Sequence, residues 1–498
     1  MQPSGLSAEE LFKRGLGITY LDFSVLDTFK TSIPRTSIDL STDLGKGVKL
    51  ATPIIASPMD TVTNAELCIA LAEEGGIGVL HFNHKKPDGS KDLEAQMLEI
   101  ERVKRSQSGF IENPVTVAPH HTIREAVEIG TRYKVGNSRI DTFPVTEDGK
   151  SDGKLVGLLR KQDYSPVQHT GMRVGDRMLH MGKLTYGNWP LTLERANQIL
   201  WDEHIPSLPI VDEHGHLKYL VTRKDIDKGE QFPLATKDEK GRLRVLFAVS
   251  THDDDRVRVE AGFAAGADGV VIDTSQGFTI YEEQTILYII QNHPDKLVLG
   301  GNISTPEAAI FLSDLHSDSY RNGQGSGSIC TTAGALGISR AGAAGVYNCA
   351  RELKGTNLRT IADGGLREVG DILKAIASGA HAVMLGNMLA GCDEGPGEVV
   401  IHESGKPVKE YRGMGSKEAN VGGIRGYSRL PQGVKGQVPY RGSIHTWIPL
   451  IRDGLLSAFH VLNCQNQQEL HERLYDGSLR FERRTLGSMR ESGIHDLV

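Results

Sequence analysis

The sequence contains few of the features that mark secreted or metal-binding proteins. Its five cysteines are spread over 498 residues without a CxxC spacing: Cys68, Cys330, Cys349, Cys392 and Cys464. This pattern excludes a disulfide framework and a cysteine zinc site, and it suits a reducing cytoplasm. The 18 histidines form no cluster with aspartate at a metal-ligand spacing, so we interpret them as structural or solvent-exposed residues.

An excess of positive charge and long apolar runs are also missing. The formal net charge is −7, which argues against a general affinity for nucleic acid or for acidic membranes. The first residues, MQPSGLSAEELFKRGLG, contain no apolar signal core, and no later run approaches the length of a membrane span. The terminal HDLV matches no retention or peroxisomal signal. We therefore expect a cytoplasmic protein without a specific nucleic-acid or membrane partner.

Glycine, by contrast, is abundant. The 57 glycines and the 39% of hydrophobic residues are typical of an α/β protein with many loops, and 498 residues predict two or three domains. Strand and helix patterns alternate from Thr52 to Leu80 and again after Pro233. Further strand candidates are Val245–Val249, Val270–Ile272, Leu297–Gly300, Ser319–Arg321, Thr360–Ala362 and Ala382–Leu385. With the two early strands, these predict a (β/α)8 TIM barrel, whose functional residues occupy loops at the C-terminal ends of the strands.

The alternation is interrupted between residues 113 and 230. Two similar halves lie there, the first reading TIREA, FPVTEDG and KLVGLLRKQDY, the second TLERA, LPIVDEHG and LKYLVTRKDI. Such an internal repeat indicates a paired module, and it resembles a tandem CBS domain. We predict that the module is inserted between barrel segments 1–112 and 231–498, through linkers at Gly109–Pro114 and Asp227–Pro233. CBS pairs commonly bind adenine or guanine nucleotides, which are therefore its candidate ligands.

The most informative stretch is the loop Gly323–Thr332, which reads GQGSGSICTT. Glycine tolerates positive φ and lets the backbone approach a ligand closely. Such a loop can cradle a phosphate with its amides or a cation with its carbonyls, and it presents Cys330 as a nucleophile. A free thiol has a pKa of about 8.5, so an active one needs nearby N–H dipoles or positive charge. The alternative is a glycine-rich turn with a buried, inert cysteine.

Polar residues follow three other predicted strands. Asp363-Gly364-Gly365 follows the seventh strand and Gly386-Asn387 the eighth, where backbone N–H groups of this fold converge on phosphates. Asp363 itself, an anion, suits ribose hydroxyls better than a phosphate. Asp273, after the fourth strand, is placed to bind a ribose diol, although a strand-end aspartate is more often a helix N-cap.

These strings, taken together, resemble one known family over nearly the whole chain. GSGSICTT, SPMDTV (Ser57–Val62) and YRGMGS (Tyr411–Ser416) occur with GGIGVLH, IDTSQG, GGN, ADGG and MLGN in the order typical of the IMP dehydrogenase and GMP reductase family. The resemblance implies NAD-dependent oxidation of IMP to XMP, through a covalent cysteine–purine intermediate, in guanine nucleotide biosynthesis. It also implies a homotetramer and a bound monovalent cation, K+.

The resemblance further implies roles for individual residues. The catalytic residues are Cys330, Thr332, Arg425 and Tyr427. The residues that bind the substrate are Ser57, Met59, Ser328, Asp363, Gly364, Gly365, Gly386, Asn387, Tyr411, Gly413, Met414, Gly415 and Gln432. Those that bind NAD are Asp273, Thr274, Ser275, Asn302, Arg321, Gly323, Gln324 and Gly325. The cation is held by carbonyls of Gly325, Gly327 and Cys330, and by Glu491, Ser492 and Gly493 of the next subunit.

The sequence departs from this family in the active-site flap, residues 395–441. The family activates its water with adjacent arginine and tyrosine, whereas here Gly426 separates Arg425 from Tyr427. The segment is short, near the length in GMP reductases, which convert GMP to IMP and ammonia with NADPH. Such a reductase would depend on Thr332 and an acid such as Glu418. A third alternative, a purine-nucleotide sensor without catalysis, is disfavoured by the intact Cys330.

Overall fold

A computed structural model describes residues 4–13, 15–106, 109–134, 139–419 and 430–492. The chain divides into two compact units: Met1–Ile100 together with Arg244–Val498, and Glu101–Leu243. The segment Asp227–Pro233, expected to be a linker, is mostly helical, because the helix Arg223–Gln231 extends through it and Ile226 packs on an apolar cluster of the second unit. No described helix combines the length and the apolar character needed to cross a lipid bilayer.

The first unit contains the predicted barrel. In the described part of the chain, eight parallel strands close on themselves, with the last strand paired to the first. In chain order they are Ile54–Ala56, Ile77–Leu80, Leu246–Val249, Gly269–Ile272, Leu297–Ile303, Ser319–Asn322, Arg359–Asp363 and Ala382–Leu385. Alternating side chains such as Ile55, Leu246 and Val271 point inward and form the barrel core. The (β/α)8 prediction is confirmed.

The sixth barrel strand has few of the apolar residues that are typical of a buried strand. All four residues of Ser319–Asn322 are buried although the strand contains a serine, an arginine and an asparagine. The Ser319 hydroxyl donates to the Leu44 carbonyl at 2.6 Å, and the Tyr320 hydroxyl accepts from Thr360 at 3.0 Å. Because buried polar groups are tolerated when they are hydrogen-bonded, the strand needs no apolar alternation.

Helices cover the outside of the barrel, and several of them start at side-chain caps. Asn64 caps the helix Ala65–Glu73, Thr279 caps Ile280–Asn292 and Thr305 caps Pro306–Asp314. These caps accept backbone N–H groups that otherwise have no partner at a helix start. The remaining helices of this unit are Ala8–Leu11, Arg256–Ala264, Thr332–Leu336, Gly342–Glu352, Val369–Ile376, Asn387–Ala390, Ile444–Val461, Gln467–Asp476 and Leu486–Glu491, while Leu93–Ser106 runs across the boundary with the second unit.

The second unit shows the internal repeat directly. Its first half has the helix Ile123–Arg132 and an antiparallel hairpin of Phe143–Thr146 and Leu155–Leu159. Its second half has the helix Leu193–Asp202 and a hairpin of Ser207–Val211 and Leu217–Thr222. Threonine caps both helices, Thr122 and Thr192. The short strand Leu179–His180 adds a third strand to the first hairpin, and Gly187–Asn188 adds a third strand to the second.

Among the described residues of the first unit, three small sheets lie outside the barrel. Phe23–Val25 pairs with Phe481–Arg483, and Thr42–Asp43 pairs with Lys49–Leu50. The third sheet consists of Val400–Ile401, Pro407–Arg412 and Lys435–Pro439. This third sheet, the flap sheet, belongs to the predicted active-site flap.

Lys409 attaches the flap sheet to the polypeptide that follows the eighth barrel strand. Its side chain is only 1% exposed, and its ammonium donates to the carbonyls of Cys392 at 2.7 Å and Gly395 at 2.8 Å. Burial lowers the pKa of Lys409, partly offset by Cys392 and Asp393. Two residues further along the same strand, Tyr411 enters the predicted site, so Lys409 also fixes where that tyrosine lies.

We predict that Lys409→Met destabilises the barrel unit. Methionine keeps the length of the side chain but removes two buried donors, so the free energy of unfolding should fall by about 1–3 kcal/mol in urea denaturation. Lys435→Met is the matched control, because its ammonium is 46% exposed and pairs with Glu410 on the surface; exposed pairs contribute about 0–1 kcal/mol. Equal effects of the two substitutions would show that the Lys409 hydrogen bonds do not anchor the sheet.

Candidate active site

A cleft of about 710 Å³ lies at the C-terminal ends of the barrel strands. Every residue predicted above to bind substrate or dinucleotide lines this cleft, although these residues are spread from Ser57 to Gln432. Cys330, Thr332 and Gly327 line it as well. Because parallel strands end at one face of a barrel, segments hundreds of residues apart meet there. The structure therefore brings the predicted substrate-binding and dinucleotide-binding residues together with Cys330 and Thr332 in one site.

The loop that carries Cys330 is shaped by close backbone contacts. A Cβ at Gly323 would lie 2.0 Å from the Asp363 carbonyl oxygen, so no larger residue fits there. The Cys330 N–H donates to the Gly327 carbonyl at 3.0 Å, and the helix Thr332–Leu336 starts two residues later. Cys330 is half-buried, whereas the other four cysteines are buried. The loop thus presents one accessible thiol to the cleft.

The hydroxyl of Thr332 lies between the thiol and a glutamine from the flap. Its Oγ1 is 3.1 Å from Cys330 Sγ and 3.3 Å from Gln432 Oε1. Gln432 is held in place by its backbone, because its N–H donates to Gly415 and its carbonyl accepts from Thr331, both at 3.0 Å. A hydroxyl both accepts and donates. Thr332 can therefore accept a hydrogen bond from the Cys330 thiol while it donates one to Gln432.

A buried arginine organises the opposite wall of the cleft. Arg321 is 3% exposed, and its guanidinium donates to Asp273 Oδ1 at 3.1 Å and to the Ile272 carbonyl at 3.0 Å. The same guanidinium lies 3.8 Å from Asp363 Oδ2, which also accepts from the Asn302 amide at 2.8 Å. Burial raises the pKa of Asp363, and Arg321 and Asn302 oppose that shift. This wall offers carboxylate acceptors of the kind that bind ribose hydroxyls.

Neutral donors gather at the other end of the cleft. The Asn387 amide is 3.4 Å from the Ser328 hydroxyl, and Tyr411 lies beside Met59 and Gly386. Burial raises the pKa of Tyr411 to about 12, so its hydroxyl keeps its proton at neutral pH and can donate it. Hydroxyl and amide groups gathered in one part of the cleft suit a phosphate.

Some predicted residues lie elsewhere. Glu491 ends the helix Leu486–Glu491 and does not line the cleft; Ser492 follows it and contacts the Arg484 guanidinium. Arg425, Tyr427 and Gly493 lie outside the described residues. Glu418, the acid considered for a reductase, is exposed and is not a lining residue. Within the described ranges, no three His, Cys, Asp or Glu residues are grouped so as to hold a metal ion.

Other cleft residues were not expected from the sequence. Ser326 donates from its hydroxyl to the Asp363 carbonyl at 3.1 Å, and its place in the glycine-rich loop was a usable signal. Arg441 lines the cleft while its guanidinium lies 4.8 Å from the centre of the Trp447 ring. Nothing in a single sequence distinguishes this arginine from a surface one. Arg367 is a third lining residue of this kind.

Comparison with known proteins agrees with this geometry. The family described as IMP dehydrogenase / GMP reductase domain matches residues 17–495. The chain belongs to the IMP dehydrogenase and GMP reductase family. It is 37% identical to inosine-5'-monophosphate dehydrogenase of Aquifex aeolicus, covering 97% of this chain and 96% of that protein. It is 32% identical to inosine-5'-monophosphate dehydrogenase of Caenorhabditis elegans, covering 99% and 95%.

Solved structures of the family include a similar reductase. A cysteine-to-alanine variant of GMP reductase from Trypanosoma brucei, in complex with guanosine 5'-monophosphate, superposes with a TM-score of 0.87 and 33% identity, covering 98% of this chain and all of that one. A second structure of that variant gives a TM-score of 0.70 and 32% identity, covering 97% of this chain. The resemblance seen in the motifs is thereby confirmed at the level of the family.

Gly386 offers a test of the neutral-donor end of the cleft. A Cβ at this position would lie 2.8 Å from the Tyr411 hydroxyl and 3.2 Å from Met59 Sδ. Gly386→Ala should therefore displace the tyrosine and weaken binding of IMP or GMP by about tenfold, the loss of roughly one hydrogen bond, as measured by calorimetry. The control is Gly370→Ala, where a Cβ meets nothing within 4 Å. An unchanged dissociation constant for Gly386→Ala would exclude Tyr411 as a phosphate contact.

Proposed function

We propose that this chain is an IMP dehydrogenase, which oxidises IMP to XMP with NAD+ and water in guanine nucleotide biosynthesis. One observation carries the proposal: the accessible thiol of Cys330 lies in the same cleft as a neutral-donor end suited to a phosphate and a carboxylate wall suited to ribose hydroxyls. The relatives from Aquifex aeolicus and Caenorhabditis elegans, similar over nearly their full lengths, support it.

In the first step, the Cys330 thiolate attacks C2 of the purine and forms a C–S bond. The thiol proton leaves before this attack, and Thr332, whose hydroxyl is 3.1 Å from the sulfur, can relay it to solvent. A bound nicotinamide dinucleotide supplies the acceptor for the hydride that leaves C2. The second step is hydrolysis: water adds at C2, the C–S bond breaks, and Cys330 is released together with XMP. The oxidation and the hydrolysis are therefore separate operations at one carbon atom.

The remaining cleft residues bind and orient the ligands in this proposal. Ser328, Gly365, Gly386, Asn387 and Tyr411 hold the 5'-phosphate. Asp363 and Gly364 hold the ribose, while the purine lies against Ser57, Met59, Gly413, Met414, Gly415 and Gln432. The dinucleotide lies along Asp273, Thr274, Ser275, Asn302, Arg321 and the backbone of Gly323–Gly325. All these residues line the cleft, so its donors and acceptors fit a nucleotide and a dinucleotide side by side.

GMP reductase is the second candidate. It is favoured by the similarity to the GMP reductase structure from Trypanosoma brucei, which covers all of that chain, and by the Cys330–Thr332 contact on which a reductase would depend. The exposed position of Glu418, away from the cleft lining, disfavours it. In this alternative, NADPH delivers hydride to C2 of GMP and ammonia is released.

Absorbance of the reduced nicotinamide at 340 nm separates the two candidates. We expect IMP with NAD+ to give rising absorbance at steady turnover, and GMP with NADPH to give no change. Cys330→Ser should reduce turnover by at least a thousandfold while nucleotide binding is largely retained, because a serine hydroxyl is a far weaker nucleophile near neutral pH. Falling absorbance with GMP and NADPH would replace the proposal by the reductase. No change in either cuvette would favour a non-catalytic nucleotide sensor.

Arg425 is proposed to activate the hydrolytic water, together with Tyr427, which follows it after Gly426. Arginine has a pKa above about 12, so this role requires a closed flap that disfavours its charge. Arg425→Ala should still reduce one NAD+ per site in a rapid burst, because hydride transfer needs no base for water. Steady turnover should then collapse, and a Cys330–purine adduct should accumulate in intact-protein mass spectra. Unchanged steady turnover would reject Arg425 and transfer the role to Tyr427 or Thr332.

The second unit is proposed to be a tandem CBS module, at about residues 113–230, that binds adenine or guanine nucleotides. Its repeated order of capped helix and antiparallel hairpin supports this. For K+, the carbonyls of Gly325, Gly327 and Cys330 are the proposed ligands, completed in a cytoplasmic homotetramer by Glu491, Ser492 and Gly493 of a neighbouring copy. These carbonyls fit a monovalent cation, since they carry no charge and lie on one glycine-rich loop.

A further inference from the structure

Glu282 is a buried acid next to the wall of the cleft that the proposed function assigns to the dinucleotide. It lies in the first turn of the helix Ile280–Asn292 and is 0% exposed. Its backbone N–H donates to the capping hydroxyl of Thr279 at 3.1 Å, which fixes the start of the helix. A Cβ at Gly300 would lie 3.3 Å from Glu282 Oε1, so the carboxyl is closely packed from the barrel side.

The carboxyl group links two loops that line the cleft. Its Oε1 accepts the Gly301 N–H at 2.7 Å, and its Oε2 lies 3.4 Å from Thr274 Oγ1. Thr274 Oγ1 is closer to the Gly301 carbonyl, at 3.0 Å. The same loops are joined by the Asn302 N–H, which donates to the Thr274 carbonyl at 3.1 Å. Glu282 therefore stands behind Thr274 and Asn302, two residues of the cleft lining.

These contacts are all satisfied when the carboxyl carries a proton. The single hydroxyl proton of Thr274 goes to the nearer Gly301 carbonyl, which leaves the threonine oxygen as an acceptor. A protonated Oε2 then donates to that oxygen, while Oε1 accepts from Gly301. Ionisation would leave Oε2 without its proton and compete for the threonine hydroxyl.

The surrounding charges do not compensate an ionised Glu282. The charged groups facing it among the described residues are Arg321 and Asp273. The Arg321 ion pairs run to Asp273 and Asp363, so this cation already serves two carboxylates. Burial raises the pKa of Glu282 to about 8, with smaller opposing contributions from Gly301, Arg321 and Thr274. The protonated form therefore prevails at neutral pH.

We propose that Glu282 is a positioning residue that holds Thr274 and Asn302 for dinucleotide binding in its protonated form, so that dinucleotide affinity falls in alkaline solution. This inference rests on the proposed function of the same cleft. An ionised Glu282 draws the Thr274 hydroxyl away from Gly301 and adds negative charge next to Asp273. Both effects disfavour an anionic dinucleotide, and neither involves the residues proposed to hold the nucleotide phosphate.

The test measures NAD+ binding by calorimetry in the Cys330→Ala variant, saturated with IMP so that binding occurs without turnover. Between pH 7 and 9.5, the dissociation constant of NAD+ should be flat at first and then rise toward tenfold per pH unit above about pH 8, because one proton is lost. Glu282→Gln should give a flat profile, since its amide donates to Thr274 at every pH. The IMP dissociation constant should not follow this profile.

Two further variants complete the design. Glu282→Met has no titrating proton, so it should also give a flat profile, with weaker binding throughout because Gly301 loses its acceptor. Glu283→Gln removes the same charge from the next residue of the helix and should keep the alkaline rise. A rise that persists in Glu282→Gln or Glu282→Met overturns the inference while leaving the proposed function intact. If the Cys330→Ala protein without a further substitution fails to bind NAD+ at any pH, both the inference and the proposed function are overturned.

Discussion

The site depends on one buried cation held inside a barrel. Arg321 comes from a strand whose residues are all buried, and it balances Asp273 on one side and Asp363 on the other. A buried charge that loses its partner costs about 3–5 kcal/mol, so these three residues constrain one another. Asn302 then joins the group through Asp363 and the Gly323 carbonyl. The carboxylate wall, the glycine-rich loop and the neighbouring strand are thereby fixed by a single network.

A second constraint is how closely the backbone segments approach each other around the thiol. The loop before Cys330 passes so near the Asp363 carbonyl that only glycine is possible at position 323. On its other side, Val434 donates to the Ile329 carbonyl and Thr331 donates to the Gln432 carbonyl, both at 3.0 Å. The Cys330 thiol is thus held between the barrel and the flap residues Gln432–Val434. Such preorganisation lets the thiol and its ligand meet without further rearrangement.

The shared geometry explains how one family can contain both dehydrogenases of IMP and reductases of GMP. A thiol beside C2 of a purine and a nicotinamide next to it serve hydride transfer in either direction. What differs is the group exchanged at C2: water must be activated to release XMP from the dehydrogenase, whereas ammonia must leave GMP in the reductase. The barrel is common to both reactions, so the proposed function assigns that choice to side chains near the thiol and on the flap. Thr332 lies between Cys330 and Gln432, within hydrogen-bond reach of both.

Local sequence determined the strands, the repeat and the cluster of motifs. Eight strand patterns, several of them followed by glycines, predicted the barrel. The strings GSGSICTT, SPMDTV and YRGMGS predicted the family, because strand-end residues and tight turns require particular residue types at fixed spacings. Only the tertiary structure revealed the roles of Glu282, Ser326 and Arg441. Their significance comes from neighbours far away in the chain: Glu282 matters because Gly301 and Thr274 meet it. Burial and through-space contacts, which set the ionisation of that carboxyl, have no signature in the order of residues.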